Sequence, residues 1–103
     1  MKFYTKSLCN VWIKFFHDRH DHEIYKSPIT GKLKSKKPTY TEATVVINPN
    51  TDFEERFFGR SYVMPGDPFE LEYGRRASLQ RALDDMRVRP RVEREIWVGY
   101  FSR

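Results

Sequence analysis

Cysteine occurs once in this 103-residue chain, at position 9, and that scarcity removes two devices that hold many small proteins together. One thiol cannot close an internal disulfide or supply a cysteine-rich zinc site. Its place among alternating apolar residues reads as a small buried hydrophobe rather than a reactive thiolate. Long apolar runs are also missing. No stretch approaches the roughly 20 residues that a membrane-spanning helix requires, and no signal peptide is visible. The expectation is a soluble cytoplasmic protein with no membrane partner.

The motifs of common catalysis are missing too. The chain holds no GxGxxG, Walker or HExxH pattern. Glu54 and Glu55 are adjacent, so in a strand they point to opposite faces and cannot act as a carboxylate pair. With no nucleophile, base and orienting group in evidence, the expectation is a non-enzymatic protein without a cofactor.

What is present is aromatic and basic. Eight Phe, six Tyr and two Trp make up 16% of the chain, and each buries a large area, so a small sheet-based core is feasible. The formal net charge is +5, which permits attraction to nucleic acid or to acidic proteins without choosing between them. The length suits a single domain spanning 1–103, and no internal repeat interrupts it.

Residues 8–16, LCNVWIKFF, alternate Cys9, Val11, Ile13 and Phe15 with a mixed set, which predicts a strand covered on one side. Residues 26–38, KSPITGKLKSKKP, hold five lysines, two prolines and a glycine with no apolar period, and read as a mobile lysine-rich loop. TYTEATVVIN (39–48) and FEERFFGRSYVM (53–64) read as two strands joined into a hairpin by NPNTD. Asp67 as N-cap, Pro68 at the first helical position and Glu70 three residues after the cap predict a helix start. Phe69, Tyr73, Ala77, Leu79, Ala82, Leu83 and Met86 then share its broad apolar side, and Pro90 ends it. EIWVGYF (95–101) alternates and reads as a last strand. The predicted class is α+β: an antiparallel sheet of about four strands with one main helix, in the order β-β-β-α-β.

Three polar groupings are candidates for function. His17, His20 and His22 lie within six residues of one another beside acidic residues and are candidate metal ligands, although short His/Asp runs in loops are usually solvated. Lys32, Lys34, Lys36 and Lys37 can each reach a phosphate, or form a solvated, self-repelling loop. Arg75, Arg76 and Arg81 lie on the predicted helix. Glu72 precedes Arg76 by four residues and Arg81 precedes Asp85 by four, so local ion pairs account for two of the three and leave Arg75 for a partner. Arg87, Arg89, Arg91 and Arg94 form a further basic run.

The stretch FGRSYVMPGDPFELEYGRRASLQRAL (58–83) resembles a pattern in small proteins encoded by bacteriophages and prophages. A strand with a glycine leads there to an Asp-x-Phe helix start, a Gly-Arg pair and an Arg-Ala-Leu segment. The matching positions are Gly59, Asp67, Phe69, Gly74, Arg75, Arg81, Ala82 and Leu83, about a quarter of the chain. The resemblance implies a phage or mobile-element protein in the cytoplasm of a bacterial host. It would modulate or inhibit a host protein or nucleoprotein machine, a defence system included. The alternative is a basic nucleic-acid-binding module using the lysine loop and the helix arginines.

Overall fold

The alternation of Val11, Ile13 and Phe15 with Trp12, Lys14 and Phe16 builds one strand of an antiparallel sheet in the computed structural model, which describes residues 1–5, 9–86 and 90–102. In chain order the elements are β1 (Lys2–Thr5), β2 (Cys9–Asp18), a 3₁₀ turn (Asp21–Glu23), β3 (Ile24–Lys26), β4 (Leu33–Ser35), β5 (Thr39–Ile47), β6 (Glu55–Val63), α1 (Leu71–Met86) and α2 (Pro90–Phe101). Four strands pair antiparallel in the order β1-β2-β5-β6, while β3 and β4 form a separate two-stranded sheet. The expected α+β class, antiparallel sheet and β5–β6 hairpin are present. In the connection of that hairpin Asn48 and Asn50 adopt positive φ, 50° and 62°, a conformation that asparagine tolerates better than most residues.

Both helices cover one face of the sheet. Val11, Ile13, Ala43 and Val45 from the strands meet Leu79, Leu83, Ile96 and Tyr100 from the helices in a buried core. Within α1 the residues turned to the sheet are small: Gly74, Ser78 and Ala82 recur every four positions, with Leu79 and Leu83 alongside. That spacing lets the helix lie almost on the strands. A β-carbon on Gly59 of β6 would fall inside contact distance of the Ser78 carbonyl oxygen and the Ala82 nitrogen, and one on Gly74 would sit 2.6 Å from Thr41 Oγ1. Tyr73, expected on the buried side, is instead 66% exposed, because the small-residue stripe fixes which face docks.

Three expectations are corrected. The helix begins at Leu71 rather than Pro68, and the Glu70 carbonyl accepts from the Gly74 amide at 3.0 Å. Gly66 (φ 93°) and the bond from the Asp67 amide to the Met64 carbonyl form a turn there first. Residues 95–101 are helical, within α2. Pro90 opens that helix, as its fixed φ and missing N–H permit at a first turn. Val92, Ile96 and Tyr100 recur every four residues, so they lie on one side; Ile96 and Tyr100 are fully buried and Val92 packs against the core. Finally, residues 26–38 are not an irregular loop throughout. β4 lies within them and pairs with β3, the Ser27 amide donates to the Lys32 carbonyl at 2.8 Å, and Gly31 (φ 71°) makes the bend. The strand order gains β1, which pairs with β2 and packs against α2, where a β-carbon on Gly99 would strike the Phe3 ring.

Candidate nucleic-acid interface

Directly opposed residues in an antiparallel pair project from the same face, so the strand register defines what the helices leave uncovered. Successive rows across the open face read Lys2–Trp12–Val46–Arg56, Lys14–Thr44–Phe58, Phe16–Glu42–Arg60 and Asp18–Tyr40–Tyr62, with Tyr4 opposite Asn10 beyond the first. Six aromatic side chains and four cations therefore share one surface. Tyr4 is 79% exposed, and Phe16, Phe58 and Tyr62 are each more than half exposed. Val46, at 1%, is shielded between its row neighbours Trp12 and Arg56.

Three of the aromatic side chains form a connected strip. The Phe16 and Tyr40 rings lie 6.3 Å apart and Tyr40 and Tyr62 5.8 Å apart. Cations rest on them: Lys2 Nζ is 4.3 Å from the Trp12 ring centre, and the Arg60 guanidinium is 4.4 Å from that of Tyr40. Arg60 Nε also donates to Glu42 Oε2 at 2.6 Å. Hydrogen bonds with Tyr62 and then Glu42 raise the Arg60 pKa above its ordinary value, so its charge is permanent. Exposed rings with cations beside them are the chemistry that stacks bases and neutralises phosphates.

At the Asp18–Tyr40–Tyr62 end the chain leaves the sheet to form the β3–β4 hairpin, which contributes to a molecule 54 × 25 × 21 Å in extent. Lys32, Lys34, Lys36 and Lys37 are all exposed on it, with Lys34 opposite Tyr25. The four lysines singled out in the sequence all lie on this hairpin or directly after it.

The helix arginines lie on the other side of the sheet and are engaged there. Arg76 Nε donates to Glu72 Oε1 at 3.0 Å, the expected (i, i+4) pair, and stands over the Phe101 ring at 5.0 Å. Arg81 donates not to Asp85 but to the carbonyl of Arg60, tying α1 to the outer edge of β6. Arg75 is half-buried with its guanidinium 5.7 Å from the Phe15 ring centre, and its Nε is a buried donor without a hydrogen-bond partner. Arg91 and Arg94 are exposed on α2, and Arg87 and Arg89 lie outside the described residues.

The histidines divide: His20 and His22 stay together, their rings 6.5 Å apart and each 3.7 Å from a Glu23 carboxylate oxygen, while His17 is set apart. His17 faces the helices: its Nδ1 is 2.8 Å from Thr41 Oγ1 and its ring meets Phe69 edge-on at 5.7 Å. His20 pairs with Asp18 at 2.8 Å, whereas His22 is 74% exposed. Among the described residues no three His, Cys, Asp or Glu side chains are grouped to hold a metal ion. Burial, then the nearby charges of Arg75 and Arg19, lower the His17 pKa from 6.5. The unfolded chain therefore takes up this proton at higher pH than the folded one. The stability due to neutral His17 is present above pH 6.5 and is lost as pH falls below it. In urea titrations at pH 7.5, 6.0 and 5.0, His17→Gln is expected to show a shallower loss of stability on acidification than the parent.

The open-face residues Lys2, Tyr4, Trp12, Lys14, Phe16, Tyr40, Arg56, Phe58 and Arg60 were not singled out in the sequence. The available signal was alternation: each occupies the phase opposite to the buried residue of its strand. A cleft of about 210 Å³ opens where the end of the β5–β6 pair meets the hairpin, lined by Tyr62 of the open face and by Thr39 and Val63 of the covered one, with Ile24, Pro38 and Met64. Among the described residues no helix is long and apolar enough to cross a membrane. No family model, curated protein or solved structure significantly matches the chain.

Proposed function

We propose that this protein is a non-enzymatic binding module that holds single-stranded nucleic acid across the open face of its sheet, with the lysine hairpin extending the basic track. The observation that carries the reading is the interleaving of six aromatic side chains with Lys2, Lys14, Arg56 and Arg60 on one uncovered face. A duplex would keep its bases stacked away from these rings, whereas a single strand can splay them onto the surface. Arg75, Arg76 and Arg81, on the helix side, have no part in it.

The test is a salt series with 20-nucleotide oligo-dT and oligo-U. Single-strand binding loses about 0.7 in log K per neutralised phosphate per decade of salt. Four to five contacts give an expected slope of about −3. Changing Lys32, Lys34, Lys36 and Lys37 to Ala together is expected to flatten it. Absence of salt-dependent binding at low ionic strength would sink the proposal.

A second reading is a phage or mobile-element protein that modulates a host protein or nucleoprotein machine, a defence system among the candidates. It is favoured by the resemblance over 58–83 and by the exposed Tyr4, Phe16, Phe58 and Tyr62, which are suitable interface anchors. However, Gly59, Gly74, Arg81, Ala82 and Leu83 of that pattern all serve to seat α1 on the sheet. Their recurrence would follow from a shared architecture whatever the partner. A nuclease-resistant partner recovered from bacterial lysate, lost on Phe58→Ala and without oligonucleotide binding, would favour this reading over the first.

A further inference from the structure

We infer that the cleft at the end of the sheet, between the β5–β6 pair and the base of the β3–β4 hairpin, receives a single nucleobase, and selects one that carries an exocyclic amine. This rests on the single-strand reading above. The cleft is continuous with the proposed track, because Tyr62 lines it and also stands in the last aromatic row with Tyr40, 5.8 Å away. Its volume, about 210 Å³, falls below the roughly 300–1,000 Å³ of drug-sized sites, so it suits one base rather than a whole nucleotide. Ile24, Pro38 and Met64 give it apolar walls, as a flat ring requires.

Its polar groups set the selectivity. Thr39 Oγ1 already accepts from the His20 amide at 2.7 Å, and Ser35 Oγ donates to the Lys37 carbonyl at 2.6 Å. Asp67, which is exposed, and His20, which is paired with Asp18, also line the cleft. Set against ring position 4, a carboxylate accepts from the amine of cytosine, whereas thymine and uracil present the O4 acceptor there, which it repels. It also repels phosphate, so the backbone lies outside, within reach of Lys36 and Lys37, which follow Ser35 of the cleft wall. Stacking elsewhere on the face tolerates any base; the cleft does not.

The experiment compares, by fluorescence anisotropy, dT₆ with six hexamers that each carry one dC. One position is expected to tighten binding about tenfold, equivalent to 1.4 kcal/mol. Asp67→Ala is expected to erase that preference, so that every dC-bearing hexamer binds within about twofold of dT₆. Met64→Trp, at an exposed position, is expected to erase it by filling the cleft, with an unchanged melting curve reporting an intact fold. Equal affinity for all six hexamers with dT₆ itself bound would overturn the base pocket and leave the face reading intact. A preference that survives Asp67→Ala would likewise overturn the role of the carboxylate. No binding of dT₆ under low salt would overturn both.

Discussion

Gly59→Ala is expected to destabilise the protein by about 3 kcal/mol or more, at the upper end of what overpacking costs. Most added methyl groups in a core press on side chains that can turn aside. Here the β-carbon would meet backbone on the facing helix: the Ser78 carbonyl and the Ala82 nitrogen. Neither can move without shifting α1, and that helix carries Leu79 and Leu83 into the core. Arg81 fixes the same turn of helix to the Arg60 carbonyl, so the strain cannot be relieved by sliding. For a domain of this size each kcal/mol lowers the melting temperature by roughly 4–8 °C. A fall of about 15 °C in a thermal melt followed by circular dichroism is the expected result. A variant that melts within a few degrees of the parent would show that α1 does not approach β6 this closely.

Phe16→Ala and Phe58→Ala are each expected to weaken oligo-dT binding by about tenfold or more, from a stacking contribution of about 1–3 kcal/mol per base. The two rings stand on adjacent rows of the open face, both more than half exposed. Their loss therefore leaves little cavity and should change stability by no more than about 0.5 kcal/mol. That separation matters, because an affinity loss without a stability loss locates the interface. Arg76→Ala provides the comparison. Its cation is paired with Glu72 on the helix side, and its removal should leave affinity unchanged. Full binding by the Phe16/Phe58 double variant would remove the sheet face from the mechanism even if the lysines proved important.

Much of this arrangement was legible in the sequence, and the errors have physical causes. Alternation located the three long strands, because each has one covered and one open side. It could not say which mixed side would remain open, since that depends on where both helices dock. α2 was misread because Ile96, Val98 and Tyr100 alternate, while Val92, Ile96 and Tyr100 also keep helical spacing. Only the packing of Ile96 and Tyr100 into the core distinguishes the two patterns. Pro90 was ambiguous for a similar reason, since it can end one helix or begin the next. At the head of α1 the Asp67–Pro68–Glu70 signature was sound local chemistry, but the Gly66 turn and the seating of Phe69 against His17 and Arg19 delay the helix to Leu71. Among the candidate residues, the lysines were recognisable as an exposed cluster. Arg81 was not recognisable as a strand-edge ligand, because its partner is a carbonyl 21 positions away.

The bond from Arg81 to the Arg60 carbonyl has a colloidal consequence as well. β6 is one of the two outermost strands of the sheet, and an outermost strand offers unpaired amides and carbonyls on which another chain can grow. A guanidinium laid on one of those carbonyls occupies an acceptor such a growing ladder would need. It also places a positive charge where a second copy would have to approach. A protein with this many uncovered aromatic side chains has particular need of a guarded border, and the same arginine that seats the helix covers one acceptor on the β6 edge.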